Sequence, residues 1–176
     1  MAHVSSSFDL TEVDRFTAGA VGPPGARVFY LQAVAGTTVV TLRLEKAQVA
    51  AMAQYLSEML VDLPTPSPDE LPGDLELVEP VTPEWVVGQL GVVFDDRRDR
   101  LLIRAEEVGE VDEEGEPVPD PDAGMARFAL TRGQVASFVV RAATLVAAGR
   151  PPCPLCGRPL DPEGHVCIKT NGHRPH

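Results

Sequence analysis

One apolar stripe is written into this chain twice. Val49, Met52, Ala53, Leu56, Met59 and Leu60 step by three, one, three, three and one, and Leu63 extends the series. Val135, Phe138, Val139, Ala142, Leu145 and Val146 repeat those steps, each 86 positions after its counterpart. Such spacing lines one face of a 3.6-residue helix. The lead-ins agree as well. Leu44-Glu45-Lys46-Ala47-Gln48-Val49-Ala50 and Leu130-Thr131-Arg132-Gly133-Gln134-Val135-Ala136 share Leu, Gln, Val and Ala at the same offsets. The agreement reads as a duplicated unit. Thr131 and Gln134 have capping-box spacing, and Pro64 and Gly149 are ordinary helix stops beyond the two series.

Short helices are marginal in water, so each predicted helix needs a sheet to lie on. Strand patterns precede both. Residues 28–34 turn at Gly36 into 38–44, where Val40, Leu42 and Leu44 alternate with Thr41 and Arg43. In the second half, 85–94 and 101–106 flank the polar turn Asp95-Asp96-Arg97-Arg98-Asp99, and 126–130 run into the second helix. Ser6, Phe8 and Leu10 are the candidates for a third strand of the first unit. The expected class is α+β: a strand-strand-strand-helix unit used twice, forming a mostly antiparallel sheet with both helices on one face. Copy one spans 1–63, a Pro-rich linker 64–83, and copy two 84–149, together a body of 1–149 followed by a tail of 150–176. Residues 106–122 hold nine acidic side chains and no basic one, which reads as a solvated, self-repelling loop that a basic partner could dock on.

The composition changes after Gly149. Cys153-Pro154-Leu155-Cys156-Gly157 has zinc-knuckle spacing: two thiolates three residues apart reach one ion, and the glycine permits the tight turn. Cys167 adds a third thiolate, and no fourth cysteine exists. The fourth ligand is then a histidine, either His165, two residues before Cys167, or His173 beyond it; His176 is terminal. Three thiolates and an imidazole close a tetrahedral shell around Zn²⁺ with no position left for water, so the expected role is structural. Redox use of Cys-x-x-Cys is disfavoured because Gly157 and Pro159 break the helix such a motif opens.

Elsewhere catalytic signals are weak. No phosphate loop, nucleophile elbow, His-Glu-x-x-His or dinucleotide fingerprint occurs, and His3 is the one histidine outside the tail. Asp95, Asp96 and Asp99 are interleaved with Arg97, Arg98 and Arg100, which reads as a charge-balanced turn. A net charge of -11 and 5% aromatic residues argue against a body that binds nucleic acid. No apolar run approaches a membrane span and no signal segment opens the chain, so a cytoplasmic protein is expected.

Three stretches carry a resemblance: Phe16-Thr17-Ala18-Gly19 through Gly25-x-Arg27-x-Phe29-Tyr30-Leu31-Gln32, the Glu45-x-x-Gln48-Val49-Ala50 lead-in, and the tail from Cys-Pro-Leu-Cys-Gly through Asp-Pro-Glu-Gly-His-Val-Cys to Asn-Gly. Together they resemble an uncharacterised actinobacterial family of unknown function, over nearly the whole chain. The resemblance implies a high-GC actinobacterial source and supplies no catalytic residues. Members of that family run from the third cysteine through Pro-Arg to Asn-Gly-Tyr-Arg, whereas this chain reads Ile168-Lys169-Thr170-Asn171-Gly172-His173-Arg174. The resemblance thus implies that His173 is replaceable and favours His165.

The expected function is a non-enzymatic, zinc-containing binding or adaptor protein, acting on another protein or a small ligand through a groove or face between the halves. Lys169, Arg174 and Arg158 would be the tail's contacts to it. One alternative is an enzyme with a site between the halves or between body and tail, with Arg27, Arg43, Glu106 and Glu107 as first suspects. Another is nucleic-acid or transcription-machinery binding through the tail, where Arg158, Lys169 and Arg174 face Asp161 and Glu163 and leave little charge for phosphate.

Overall fold

The computed structural model describes residues 4–149, 152–158, 160, 167 and 169. In chain order the elements are β1 (Phe8–Leu10), β2 (Arg15–Val21), β3 (Val28–Ala35), β4 (Thr38–Leu44), α1 (Lys46–Val61), a 3₁₀ turn (Pro68–Glu70), β5 (Val87–Asp95), β6 (Arg100–Glu107), β7 (Met125–Leu130) and α2 (Arg132–Ala147). The chain is α+β, and the order strand-strand-strand-helix occurs twice, as β2-β3-β4-α1 and β5-β6-β7-α2. Both sets of strands are antiparallel meanders. Thr17 pairs with Gln32 and Gln32 with Thr41 in the first. Gly91 pairs with Arg104 and Arg104 with Arg127 in the second.

The strands make two sheets rather than the single expected one, in the orders β2-β3-β4 and β1-β7-β6-β5. Each half lends its leading residues to the other. β1 precedes the first meander but pairs in parallel with β7, Phe8 opposite Ala126 and Leu10 opposite Phe128. Residues 84–86 precede β5 and run parallel to β4: Glu84 N–H donates to Thr41 O at 2.8 Å and Arg43 N–H to Trp85 O at 3.0 Å. The sheets part there because β4 ends at Leu44 and the chain turns into α1. Phe8–Leu10 therefore does not complete the first unit as its sequence suggests; Arg15–Val21 does. Phe16 and Ala18 of that strand point into the core while Thr17 faces the other way, but alanine and glycine give its alternation little apolar contrast.

The inward sides of both sheets and the two helical stripes share one core, including Leu31, Leu42, Ile103, Val49, Leu56 and Phe138. Phe16 packs its ring 5.5 Å from Phe128 and 4.9 Å from Phe138, joining both sheets to α2. The glutamine common to both helix lead-ins has a double use. Gln48 Oε1 accepts Glu45 N–H at 2.8 Å while its Nε2 donates to Val87 O at 3.1 Å. Gln134 Oε1 accepts Thr131 N–H at 3.0 Å while its Nε2 donates to Val13 O. Each glutamine caps its own helix and bonds the chain entering the other half's first strand.

The Pro-rich stretch 64–83 is a strap as well as a connection. The 3₁₀ turn presses on α2 at Gly133, where a Cβ would collide with the Glu70 carbonyl oxygen. Leu77 then lies over Gly19, and Val78 is gripped from both sides by Gln32, whose Nε2 donates to Val78 O at 3.0 Å and whose Oε1 accepts Val78 N–H at 2.7 Å. Thr17, Gln32 and Thr41 are buried by this strap, and their polar atoms are satisfied by it and by each other. Among the described residues no helix is long and apolar enough to cross a membrane.

Candidate metal centre

Beyond α2 the chain makes a tight turn. Cys153 N–H donates to Arg158 O at 2.8 Å, and Gly157 N–H returns to Cys153 O at 2.8 Å. Gly157 sits at φ 73°, a left-handed conformation that a side chain would disfavour. Folding the loop this way brings Cys153 and Cys156 together, and Cys167 meets them from the following segment. The three Sγ atoms all lie within 4.8 Å of one another, and Cys153 Sγ is 4.0 Å from Cys167 Sγ. That distance is far beyond a disulfide bond, and Cys153, Cys156 and Cys167 form no disulfide with one another. Cys153 and Cys167 are buried and Cys156 is half-buried.

The turn also sets the thiols' acidity. Backbone N–H groups of Cys156 and Leu155 point at the Cys153 sulfur and lower its pKa from 9.0 to about 6. At Cys156 the Arg158 backbone pulls downward, but burial and the neighbouring Cys153 and Cys167 sulfurs outweigh it and leave the thiol raised. Three soft donors with one sulfur poised as thiolate can hold a metal ion. The two histidines expected to compete for the fourth position, His165 and His173, lie outside the described residues.

Of the residues suspected of enzymatic roles, Glu106 and Glu107 line one cavity of about 520 Å³, while Arg27 and Arg43 lie elsewhere. Arg27, half-buried just before β3, lines a cavity of about 250 Å³ with Arg141 and Thr144. Arg43 is exposed on β4, where its backbone bridges to Val86. Glu106 and Glu107 belong to the other sheet. Glu106 pairs with Arg104 at 2.7 Å and Glu107 accepts Gly124 N–H at 2.7 Å, so both carboxylates have structural partners. The acidic loop folds back on itself through a bridge between Val111 and Pro117, and Asp112 accepts the N–H groups of Glu114 and Glu116. Asp95 accepts the N–H groups of Arg97 and Arg98 and Asp99 pairs with Arg132 at 3.0 Å, as befits a charge-balanced turn.

Comparison with known families decides one matter. The family model described as "Protein of unknown function (DUF3090)" matches residues 8–167. The chain belongs to the DUF3090 family. The match begins at β1 and ends at Cys167, so it takes in both sheets, both helices and all three cysteines. Among curated proteins none matches this DUF3090 chain. Its other notable feature, a groove of about 570 Å³ between α1 and β5, has no sequence motif to announce it. The nearest signal is Gly91, a glycine inside a strand where close approach is common.

Proposed function

We propose that this protein is a non-enzymatic binding or adaptor protein whose tail holds one structural Zn²⁺ through Cys153, Cys156, Cys167 and His165, with His173 as the alternative fourth ligand. The observation that carries the metal reading is the sulfur geometry. Two sulfurs each about 2.3 Å from a tetrahedral zinc stand about 3.8 Å apart, and Cys153 and Cys167 are at 4.0 Å. Zinc would clip together a tail too short to build a core of its own. A closed shell offers no site for water or substrate, and the carboxylates of Glu106 and Glu107 are committed to structural contacts, which supports a binding role. The repeated element order and the shared glutamine support descent of the halves from one duplicated unit. Three cysteines with no disulfide among them fit a reducing, cytoplasmic setting.

Native mass spectrometry with elemental analysis tests this on protein purified without chelator. One zinc per chain is expected. A metal-free chain with three reactive thiols would overturn the metal assignment, and reproducible turnover of any compound on a metabolite panel would overturn the non-enzymatic one.

A further inference from the structure

The ion pair between Asp99 and Arg132 has no equivalent in the first half. Asp99 immediately precedes β6 and Arg132 opens α2; they meet at 3.0 Å, the carboxylate accepting from Nε and Nη2 of the guanidinium. The 86-residue step carries Arg132 back to Lys46, which opens α1. Strand register carries Asp99 back to Arg27, since Leu101 pairs with Leu130 as Phe29 pairs with Leu44. Where one half has opposite charges, the other has two cations.

Both cations stand at the C-terminal end of α2. Arg27 lines the cavity of about 250 Å³ together with Arg141, Thr144 and Ala148 of that helix. Lys46 approaches the same end, where a Cβ built on Gly149 would lie 3.3 Å from its Nζ. The cavity is walled by residues drawn from 20–27 and 141–148. No Asp or Glu occurs from 15 to 44 or from 123 to 160, in a chain that has 26 of them. The strap supplies the nearest carboxylates, and both are taken: Asp74 pairs with Arg15 at 2.9 Å and Glu76 with Arg141 at 3.2 Å. Arg141 is also fixed by Nε, which donates to Ala18 O at 3.2 Å, and neither bond uses its Nη2. Of the half-buried arginines among the described residues, Arg15, Arg100, Arg132 and Arg141 each bond a carboxylate or a carbonyl. Arg27 bonds neither. Carbonyls at a helix C-terminus attract cations, yet among the described residues neither Arg27 nor Lys46 hydrogen-bonds to one.

We propose that this pocket binds the phosphate group of a small phosphorylated molecule, with Arg27 and Arg141 as its guanidinium contacts and Lys46 adding charge at the rim. A planar carboxylate is satisfied by one guanidinium, as Asp99 is by Arg132. Cations brought from three separate elements suit a tetrahedral dianion whose oxygens point several ways. The cavity of about 250 Å³ has the volume of roughly eight waters, which fits a phosphate group with a short remainder. None of the three cysteines lines it, so the site goes beyond the metal reading, and phosphate binding and zinc content can fail separately.

The test is isothermal titration calorimetry on the full chain, with glycerol 3-phosphate, inorganic phosphate and malonate as probes. Both phosphates are expected to bind with Kd below about 1 mM, and malonate at least about tenfold more weakly. At about ten times its Kd, glycerol 3-phosphate should raise the Tm by about 3–6 °C. Arg27→Gln breaks no hydrogen bond of the structure; it should weaken binding at least about tenfold and leave the unliganded Tm within about 2 °C. Arg27→Asp writes the other half's ion pair into this one, facing Lys46, so binding should vanish while the fold holds. Absence of saturable binding by either phosphate up to about 10 mM, or binding unchanged in Arg27→Gln, would overturn the proposal. Malonate binding as tightly as the phosphates would overturn the assignment of the anion.

Discussion

Replacing Gln32 with methionine keeps most of its length and removes every hydrogen bond it makes. The wild-type amide donates to Thr41 Oγ1 and Val78 O, both at 3.0 Å, and accepts Val78 N–H at 2.7 Å. Gln32 is fully buried and Thr41 nearly so, whereas Val78 is half-buried and can recruit water once released. Three bonds at about 1 kcal/mol net each put the cost of Gln32→Met at about 3 kcal/mol. For a chain of this size that is a fall in Tm of about 6–12 °C. The loss should concentrate in the strap, because among the described residues the amide's one partner outside the strands is Val78. Native-state hydrogen exchange reads this directly. The Val78 amide should exchange roughly 100-fold faster in the variant, while core amides such as Leu42 slow or quicken only with global stability. Cleavage by a dilute protease within 70–80 should accelerate in parallel. A variant whose Val78 exchange rises by less than about threefold would refute the reasoning, and would mean that Thr17, Arg15 and Leu77 hold the strap without the amide.

Three further outcomes are expected. Cys153→Ser or Cys167→Ser should abolish stoichiometric metal by elemental analysis yet move the body's Tm by no more than about 2 °C, because both residues lie outside the core cluster of the body; a collapse of the body's melt would show that the tail props up the sheets. Gly133→Ala should destabilise by about 1–3 kcal/mol in chemical unfolding despite a helix-propensity gain of about 1 kcal/mol, since its Cβ would collide with the Glu70 carbonyl, whereas Gly91→Ala, with nothing within 4 Å, should be neutral or mildly stabilising. Metal should be released to a chromogenic chelator progressively faster as pH falls from about 7.5 to 5, because protons compete with the ion for thiolate and imidazole lone pairs; release independent of pH would argue against the sulfur site.

The helices and the cysteine turn are legible in the amino-acid sequence because their determinants are local. A stripe at 3.6-residue spacing needs only its own side chains to declare a buried face, and α1 and α2 bury Val49, Met52 and Leu56, and Val135, Phe138 and Ala142, from the predicted series. The Cys153–Gly157 turn is likewise closed by groups within six residues of one another. Legibility ends where the deciding contact is distant. β2 escapes a pattern reading because Ala18, Gly19 and Ala20 carry almost no apolar contrast, although Phe16 sits at the centre of the core.

Fold class, helical faces, the order of the later elements and the meeting of Cys153 with Cys156 thus follow from the residues and their spacing. The pairing of β1 with β7, the pairing of 84–86 with β4, and the clamping of a proline-rich stretch by Gln32 do not; they depend on contacts made only in the folded chain. Alternation along a strand says which side faces the core but not which neighbour completes its hydrogen-bond ladder. That choice is made by groups far apart in the chain, once the core has brought them together.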